Sequence, residues 1–250
     1  MTALSRPLLD AIPPGILHRQ TRGDENPVQR SLTDELALGR KTLITAFFAS
    51  PPRTLKPNEL LTKPDCYNGE IVRLRAGWAC QFSGLSDARS VIIDVYVPGD
   101  VIGLDTVLRA RPLQGLMALT SVTLQVIRAE YGLLDLMADR SAALYIFWLL
   151  GQRQRRTNRR LAANAHLEAQ ARVAMMVLDF YTRLRLRRLI MEATYNLPLT
   201  QRQIGDYLGL SAVHVNRVLR SLRDERVVNL EKHCVTILDL KRLRNLAHEE

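Results

Sequence analysis

The chain has 250 residues, 47% of them hydrophobic, enough for one large core or two modest ones and too many for a disordered protein. Its net charge of +10 favours a polyanionic partner, and the excess is uneven: residues 1–143 carry net +1, residues 144–165 net +5, and residues 166–250 net +4. Cys66, Cys80 and Cys234 are widely spaced and form no CxxC pair, which suggests neither a zinc site nor a disulfide framework and fits a reducing cytoplasm.

Residues 1–27 are proline-rich and read as a flexible arm, and the run MTALSRPLLDAIPPG lacks the apolar core of a secretory signal. Ser31–Ser50 carries Leu32, Leu36, Leu43, Ile44 and Phe47 at roughly helical spacing and stops at Pro51-Pro52. From Leu55 the period shortens. Ile71–Leu74, Trp78–Phe82, Val91–Val97 and Val122–Ile127 are β-branched or alternating. Turn candidates separate them: Asn68-Gly69, Ala76-Gly77, Ser83-Gly84, Ser86-Asp87 and Pro98-Gly99-Asp100. Many short strands at this spacing predict a jelly-roll-like β-roll within a domain of residues 28–140.

After Tyr131 the pattern is helical, and no proline occurs between Pro112 and Pro198. A single helix of that length would be unusual in a compact domain, so a break is expected near Asn164–His166. This predicts one helix over about Ser141–Ala165 and another over about Glu168–Arg187. In the first, Leu144, Trp148, Gly151, Arg155, Asn158, Leu161 and Ala165 follow alternating four- and three-residue steps, the seam of a parallel partner helix. With Phe147 they predict a homodimer interface. The run Gln152–Arg160 holds nine polar residues and no acid, so some must face a partner or ligand rather than solvent alone. The apolar run Ala142–Leu150 is too short to span a bilayer, and no membrane partner is expected.

Within residues 166–250, Thr200–Leu222 reads as a helix-turn-helix. Thr200 and Ser211 can cap two helices, Gly209 suits a tight turn, and Gly205 is small where the helices would approach. Ile204, Leu208, Val215, Val218 and Leu222 fall on inward faces. The second helix, starting at Ser211, then projects Val213, His214, Asn216, Arg217, Arg220 and Arg223 outward, a donor-rich face suited to the DNA major groove. Arg202 and Gln203, at the start of the first helix, are placed for phosphate. The bland alternative is an αα-hairpin with a solvated basic face. Val227–Leu230 and Cys234–Leu238 flank Glu231-Lys232-His233 as a β-hairpin wing, and Lys241, Arg242 and Arg244 lie on a final short helix.

In this order the parts resemble the Crp/Fnr family of bacterial transcription regulators over roughly residues 30–240. The matching residues are Ala76-Gly77-Trp78-Ala79, the Val97-Pro98-Gly99-Asp100 turn with Gly103, and the Ile204-Gly205, Leu208-Gly209-Leu210-Ser211, Val215 and Arg217 positions of the helix-turn-helix. The resemblance implies an α+β chain: an N-terminal β-roll sensor, a dimerisation helix over residues 141–165, and a C-terminal winged helix-turn-helix. It also implies an effector pocket, which falls on Gly103, Leu104, Asp105, Gln114, Thr157 and Asn158. Departures narrow the effector. The family's ribose-binding glutamate is missing at its place, and Arg109 and Arg111 come too early for the phosphate-binding arginine, which argues against cAMP. No N-terminal cysteine cluster is present for an iron–sulfur centre, and no histidine lies between His18 and His166 for haem. No cofactor or metal is therefore expected. Early in the reading helix, several members carry Arg-Glu or Val-Glu where this chain has Ala212-Val213, while Arg217 is retained. Arg217 is expected to read a guanine, with Val213 against a thymine methyl and His214 and Asn216 beside them.

The function expected is a cytoplasmic, sequence-specific transcription regulator: a homodimer on double-stranded, palindromic DNA, with RNA polymerase as a partner if it activates. An alternative is a ligand-independent regulator controlled by abundance or cysteine oxidation. Cys234, beside Lys232 and His233 in the wing, is the redox candidate, unless it is a small residue packed under the wing. An enzyme built as a metal cupin lacks the histidines it would need, and no catalysis is expected. An architectural DNA binder would show no preference for one palindrome.

Overall fold

The computed structural model describes residues 27–63, 69–84, 90–105, 107 and 114–249. Nearly all of the expected arm, Cys66, Asn68, Ser86-Asp87, Arg109 and Arg111 lie outside them. Among the described residues helix α1 (Pro27–Phe47) comes first, then eight strands: β1 (Arg53–Leu55), β2 (Leu60–Thr62), β3 (Glu70–Ala76), β4 (Ala79–Gly84), β5 (Ser90–Tyr96), β6 (Val101–Ile102), β7 (Gln114–Ala118) and β8 (Val122–Arg128). They form two antiparallel four-stranded sheets, ordered β1-β8-β3-β6 and β2-β7-β4-β5. The space between the sheets is filled by Leu55, Val72, Leu74, Ile102 and Leu124 from one and by Ala79, Tyr96, Leu116 and Ala118 from the other. This is the β-roll.

Each sheet also has a covered outer face. Ile71 and Ile127 pack outward against Leu43 and Phe47 of α1, Leu136 of α2 (Ala129–Ala138), and Ala142 and Ile146 of α3 (Arg140–His166). Both faces of β3 are therefore buried, which is why Ile71-Val72-Arg73-Leu74 is inaccessible throughout instead of alternating. Helices α1 and α3 approach closely because Gly39 leaves room; a β-carbon there would collide with the Ser141 carbonyl. Asp139 separates α2 from α3, its carboxylate accepting from Ala142 N at 2.7 Å, a capping signal the sequence reading did not use. The break expected near Asn164–His166 falls later, at Leu167-Glu168, because helix continues through the asparagine and Leu167 is extended.

Helix α4 (Ala169–Leu186) opens the C-terminal domain, followed by β9 (Thr194–Asn196), α5 (Gln201–Leu208), α6 (Ala212–Asp224), β10 (Val228–Glu231), β11 (Cys234–Ile237) and α7 (Leu240–Leu246). The wing is a three-stranded sheet, β10-β11-β9. Its tip is a two-residue turn with Lys232 and His233 both at positive φ, shorter than the expected three-residue turn because Glu231 pairs with Cys234. Among the described residues no helix is long and apolar enough to cross a membrane.

The C-terminal domain packs on the outer face of the second sheet, and Trp78, Cys80, Val95 and Val97 share one core with Phe180, Tyr181, Ile204 and Leu222. Polar contacts set its position. Buried Asp100, in the turn after β5, pairs with both Arg183 of α4 and Arg187 at that helix's C-terminal cap, the latter at 2.6 Å. It also accepts from Val97 N at 2.8 Å. Arg183 donates to Val95 O at 3.1 and 3.2 Å, and Arg187 to Pro98 O at 2.7 Å. Burial by itself would raise the Asp100 pKa, but Arg183, Arg187 and Arg156 outweigh it and hold the carboxyl far below the usual range.

A depressed carboxyl pKa contributes stability that is fully present above the unfolded value of about 4 and is lost as pH falls through the folded value. Asp100→Asn leaves two arginines without their anion and should cost about 3–5 kcal/mol at pH 7 in urea denaturation. Below pH 4 the gap between wild type and variant should narrow. A gap that persists unchanged to pH 2 would exclude the ion cluster as its source.

Candidate nucleic-acid interface

The helix-turn-helix is built by local rules. Thr200 Oγ1 accepts from Gln203 N at 3.2 Å while Gln203 Oε1 accepts from Thr200 N at 2.9 Å, a closed capping box at the start of α5. Gly209 ends α5 in the left-handed region at φ 67°, and Ser211 Oγ accepts from His214 N at 3.2 Å to start α6. A β-carbon on Gly205 would collide with the Leu210 carbonyl oxygen in the turn, so the close approach is to the turn itself rather than to the crossing helix. Ile204, Leu208, Val215, Val218 and Leu222 are buried.

The opposite face of α6 is open. Ser211, Val213, His214, Asn216, Arg217 and Arg220 are all exposed, Val213 by 70%. Asn216 donates from Nδ2 to Gln201 Oε1 at 3.0 Å, tying the outer faces of α6 and α5. Gln201 was missed by the sequence reading, since nothing in the spacing shows that residues 15 apart meet. Arg202 is exposed beside it, whereas Gln203 is half-buried and spends its side chain on the capping box. Lys232, His233 and Cys234 are exposed at the wing. Cys234 is thus not packed under the wing, because its place at the hairpin tip turns it to solvent. Arg242 of α7 bonds Glu225 at 2.5 Å, and Glu225 also accepts from Ser221 and Gln170. The hydrogen bonds from Ser221 and Gln170 lower the Glu225 pKa, and Arg242 adds to the effect.

Helix α3 shows two faces. Phe147 and Leu161 are 74% and 69% exposed, and Gly151, Gln154 and Asn158 lie exposed between them. Trp148 instead stacks on Tyr145, with ring centroids 5.5 Å apart, and lines a cavity with Arg155. Leu144 is half-buried. Of the residues expected on the dimer seam, Phe147, Gly151, Arg155, Asn158 and Leu161 are exposed, while Leu144 and Trp148 are half-buried.

At the expected effector pocket, Gly103 is at φ 96° beside Leu104 and Asp105, and Gln114 begins β7. Thr157 and Asn158 are exposed on α3, Asn158 accepting from Gln154 at 2.9 Å. The α3 residue that meets Asp105 is Arg153, which pairs with it, lies 3.4 Å from Asp94, and donates to Gln81 Oε1 at 2.5 Å. Its guanidinium also sits 5.8 Å from the Tyr96 ring centroid. Burial would lower the Arg153 pKa, but Tyr96, Asp105 and Asp94 more than offset this and keep it charged. The polar run flagged Arg153 only as one of nine residues; the register of α3 against the roll singles it out.

Comparison with known proteins agrees with this geometry. Residues 171–246 match the family model of the Crp-like helix-turn-helix domain. The chain carries a Crp-like helix-turn-helix DNA-binding domain. It is 22% identical over 196 residues to the anaerobic regulatory protein of Haemophilus influenzae, covering 78% of this chain and 75% of the relative. The nitrogen fixation regulation protein FixK of Rhizobium meliloti is 24% identical over 196 residues, 78% of this chain and 86% of the relative. The structure of FixK2 from Bradyrhizobium japonicum superposes with a TM-score of 0.71 at 22% identity, covering 79% of this chain and 96% of that one. The fold is that of solved transcription regulators of the CRP/FNR family, and the relatives named here are regulatory proteins.

Gly205→Val should force the α5–α6 turn apart, costing about 1–3 kcal/mol by overpacking. Thermal unfolding should report the loss, with DNA affinity falling in parallel. An unchanged melting temperature would mean that the turn accommodates the added carbons.

Proposed function

We propose that this regulator reads a palindromic operator as a homodimer, each protomer placing α6 in the major groove. The observation that carries the reading is the composition of one open helix face: Val213, His214, Asn216, Arg217 and Arg220 exposed on α6, over a buried Val215-Val218-Leu222 face. Arg217 supplies a bidentate donor for guanine O6 and N7. Val213 suits a thymine methyl, and Asn216 exchanges its bond to Gln201 for a base edge. Arg202 and the wing tip approach phosphates on either side. Two copies joined along the Phe147–Leu161 face of α3 would present two α6 helices to half-sites roughly 34 Å apart. RNA polymerase is a further partner where the bound site lies beside a promoter.

The position of Arg153 favours a ligand-independent state of the family's nucleotide pocket. An internal cation already engages Asp94, Asp105 and Gln81 there, so cAMP would have to displace it without the glutamate and arginine that hold it in nucleotide-binding members. The exposed Cys234 keeps thiol oxidation at the wing open as a control.

Selection from a random DNA pool should yield a palindrome with wild type. Arg217→Ala should cost ~1–3 kcal/mol per half-site and relax one base position. An equal loss on every sequence would make Arg217 a phosphate contact. Sedimentation should give a dimer for wild type and a monomer for Phe147→Glu with Leu161→Glu; a wild-type monomer at micromolar concentration, with and without DNA, would refute the interface.

A further inference from the structure

Three arginines are deeply buried or nearly so, and two of them are neutralised. Arg183 has Asp100 and Asp179, and Arg153 has Asp94 and Asp105. Arg73 on β3 is different. It is 4% exposed, and its hydrogen bond runs from Nη1 to the neutral Gln125 Oε1 at 3.2 Å, across the β3–β8 pair. It also lies 5.8 Å from the Phe48 ring centroid. No carboxylate pairs with it among the described residues. A buried charge without a counter-ion is costly, and a fold that keeps one is set up to receive an anion.

The surroundings fit that role. Arg73 lines a cavity of about 960 Å³ together with Arg40 of α1, Arg75 of β3, and Tyr145 and Trp148 of α3. Burial lowers the Arg73 pKa, and the neighbouring guanidinium groups of Arg75 and Arg40 lower it further, because like charges stand close to it. The acids that line the cavity are already engaged: Asp100 by Arg183 and Arg187, Asp105 by Arg153, Asp179 by Arg183, Glu249 by Arg159. A second observation points to the same place. The Trp148 indole Nε1 is buried without an acceptor, although such donors are nearly always satisfied. The cavity continues past Arg153 to Tyr207 and Glu249, so the Arg73 end opens into space larger than an inorganic ion needs.

We propose that this cavity binds a small organic oxyanion, a carboxylate or a phosphate ester, on Arg73 with Arg75 and Arg40, its body lying against Trp148. The cavity also reaches Leu104, Asp105 and Arg153, where the nucleotide pocket of the fold is expected, but the anion site proposed here is its other end, around Arg73. Arg73 projects from β3 on the side of Ile71 and α1, whereas Val72 and Leu74 face the roll interior. It supplies a ligand class for the regulator reading and rests on that reading only for the consequence of binding. Because α1 and α3 wall the cavity, an occupant would bear on the helix whose far face is the proposed dimer seam.

The test uses the full chain in phosphate-free Tris chloride, without DNA, so its failure leaves the DNA-reading proposal untouched. Inorganic phosphate, phenyl phosphate and benzoate are titrated at constant ionic strength, reading tryptophan fluorescence and melting temperature. At least one aromatic anion should give a saturable fluorescence change, lost in Trp148→Phe, and a higher melting temperature. Response to phenyl phosphate alone assigns a phosphate ester, and response to benzoate alone a carboxylate. Arg73→Gln should bind at least tenfold more weakly, yet melt no lower than wild type in the absence of anion, since it removes a buried charge. If that variant does not fold, the exposed Arg75→Gln should weaken binding severalfold. No response beyond equal chloride, or equal binding by the folded variant, overturns the proposal.

Discussion

The ion cluster of Asp100 with Arg183 and Arg187 is the constraint on which the arrangement of the two domains depends. It stands in the turn after β5, where the backbone is itself pinned by Gly99 N to Leu74 O at 2.7 Å and by Leu74 N to Asp100 O at 2.9 Å. A rigid turn therefore presents a carboxylate to α4, and α4 is the first helix of the DNA-binding domain. Because the carboxylate is buried, neither arginine can leave without exposing an unmatched charge to a low-dielectric surrounding. Apolar packing alone would permit sliding; this contact specifies one register.

An aromatic chain carries that register to the helix-turn-helix. Trp78 of the roll meets the Phe180 ring edge-on at 5.2 Å, Phe180 stacks on Tyr207 of α5 at 6.2 Å, and the Arg160 guanidinium of α3 lies 4.3 Å from the Tyr207 centroid. Roll, long helix and helix-turn-helix are thus joined through two stacked rings, Phe180 and Tyr207. Arg160 of α3 thus contacts α5 at Tyr207, and α5 contacts α6 through the Gln201–Asn216 hydrogen bond.

The arginines of α3 reach different neighbours of that helix. Arg153 turns inward to the roll, Arg160 turns to α5 and to the Ile93 carbonyl, and Arg159 reaches Glu249. The remaining face carries Phe147, Gly151, Gln154, Asn158 and Leu161, mixed in character and exposed. Nine consecutive polar residues are tolerated because the charges are distributed around the helix to different partners rather than gathered on one side.

What could be read from sequence was local. The capping pair Thr200 and Gln203, the turn at Gly209, the buried spacing of Val215, Val218 and Leu222, and the alternating strand segments each follow from interactions within a few residues, where backbone geometry and side-chain size decide the outcome. The order of roll, long helix and helix-turn-helix followed from these. Contacts between distant segments were decided only by the tertiary structure. Sequence spacing puts Trp148 beside Phe147 on one face of α3, but in the fold Trp148 is half-buried and stacked on Tyr145 while Phe147 is exposed. The pairing of Asp100 with arginines over 80 residues away, the entry of Arg153 between Asp94 and Asp105, and the isolation of Arg73 are likewise invisible in any window of the chain. A charge's partner is set by which faces meet across the fold, and no local periodicity encodes that meeting.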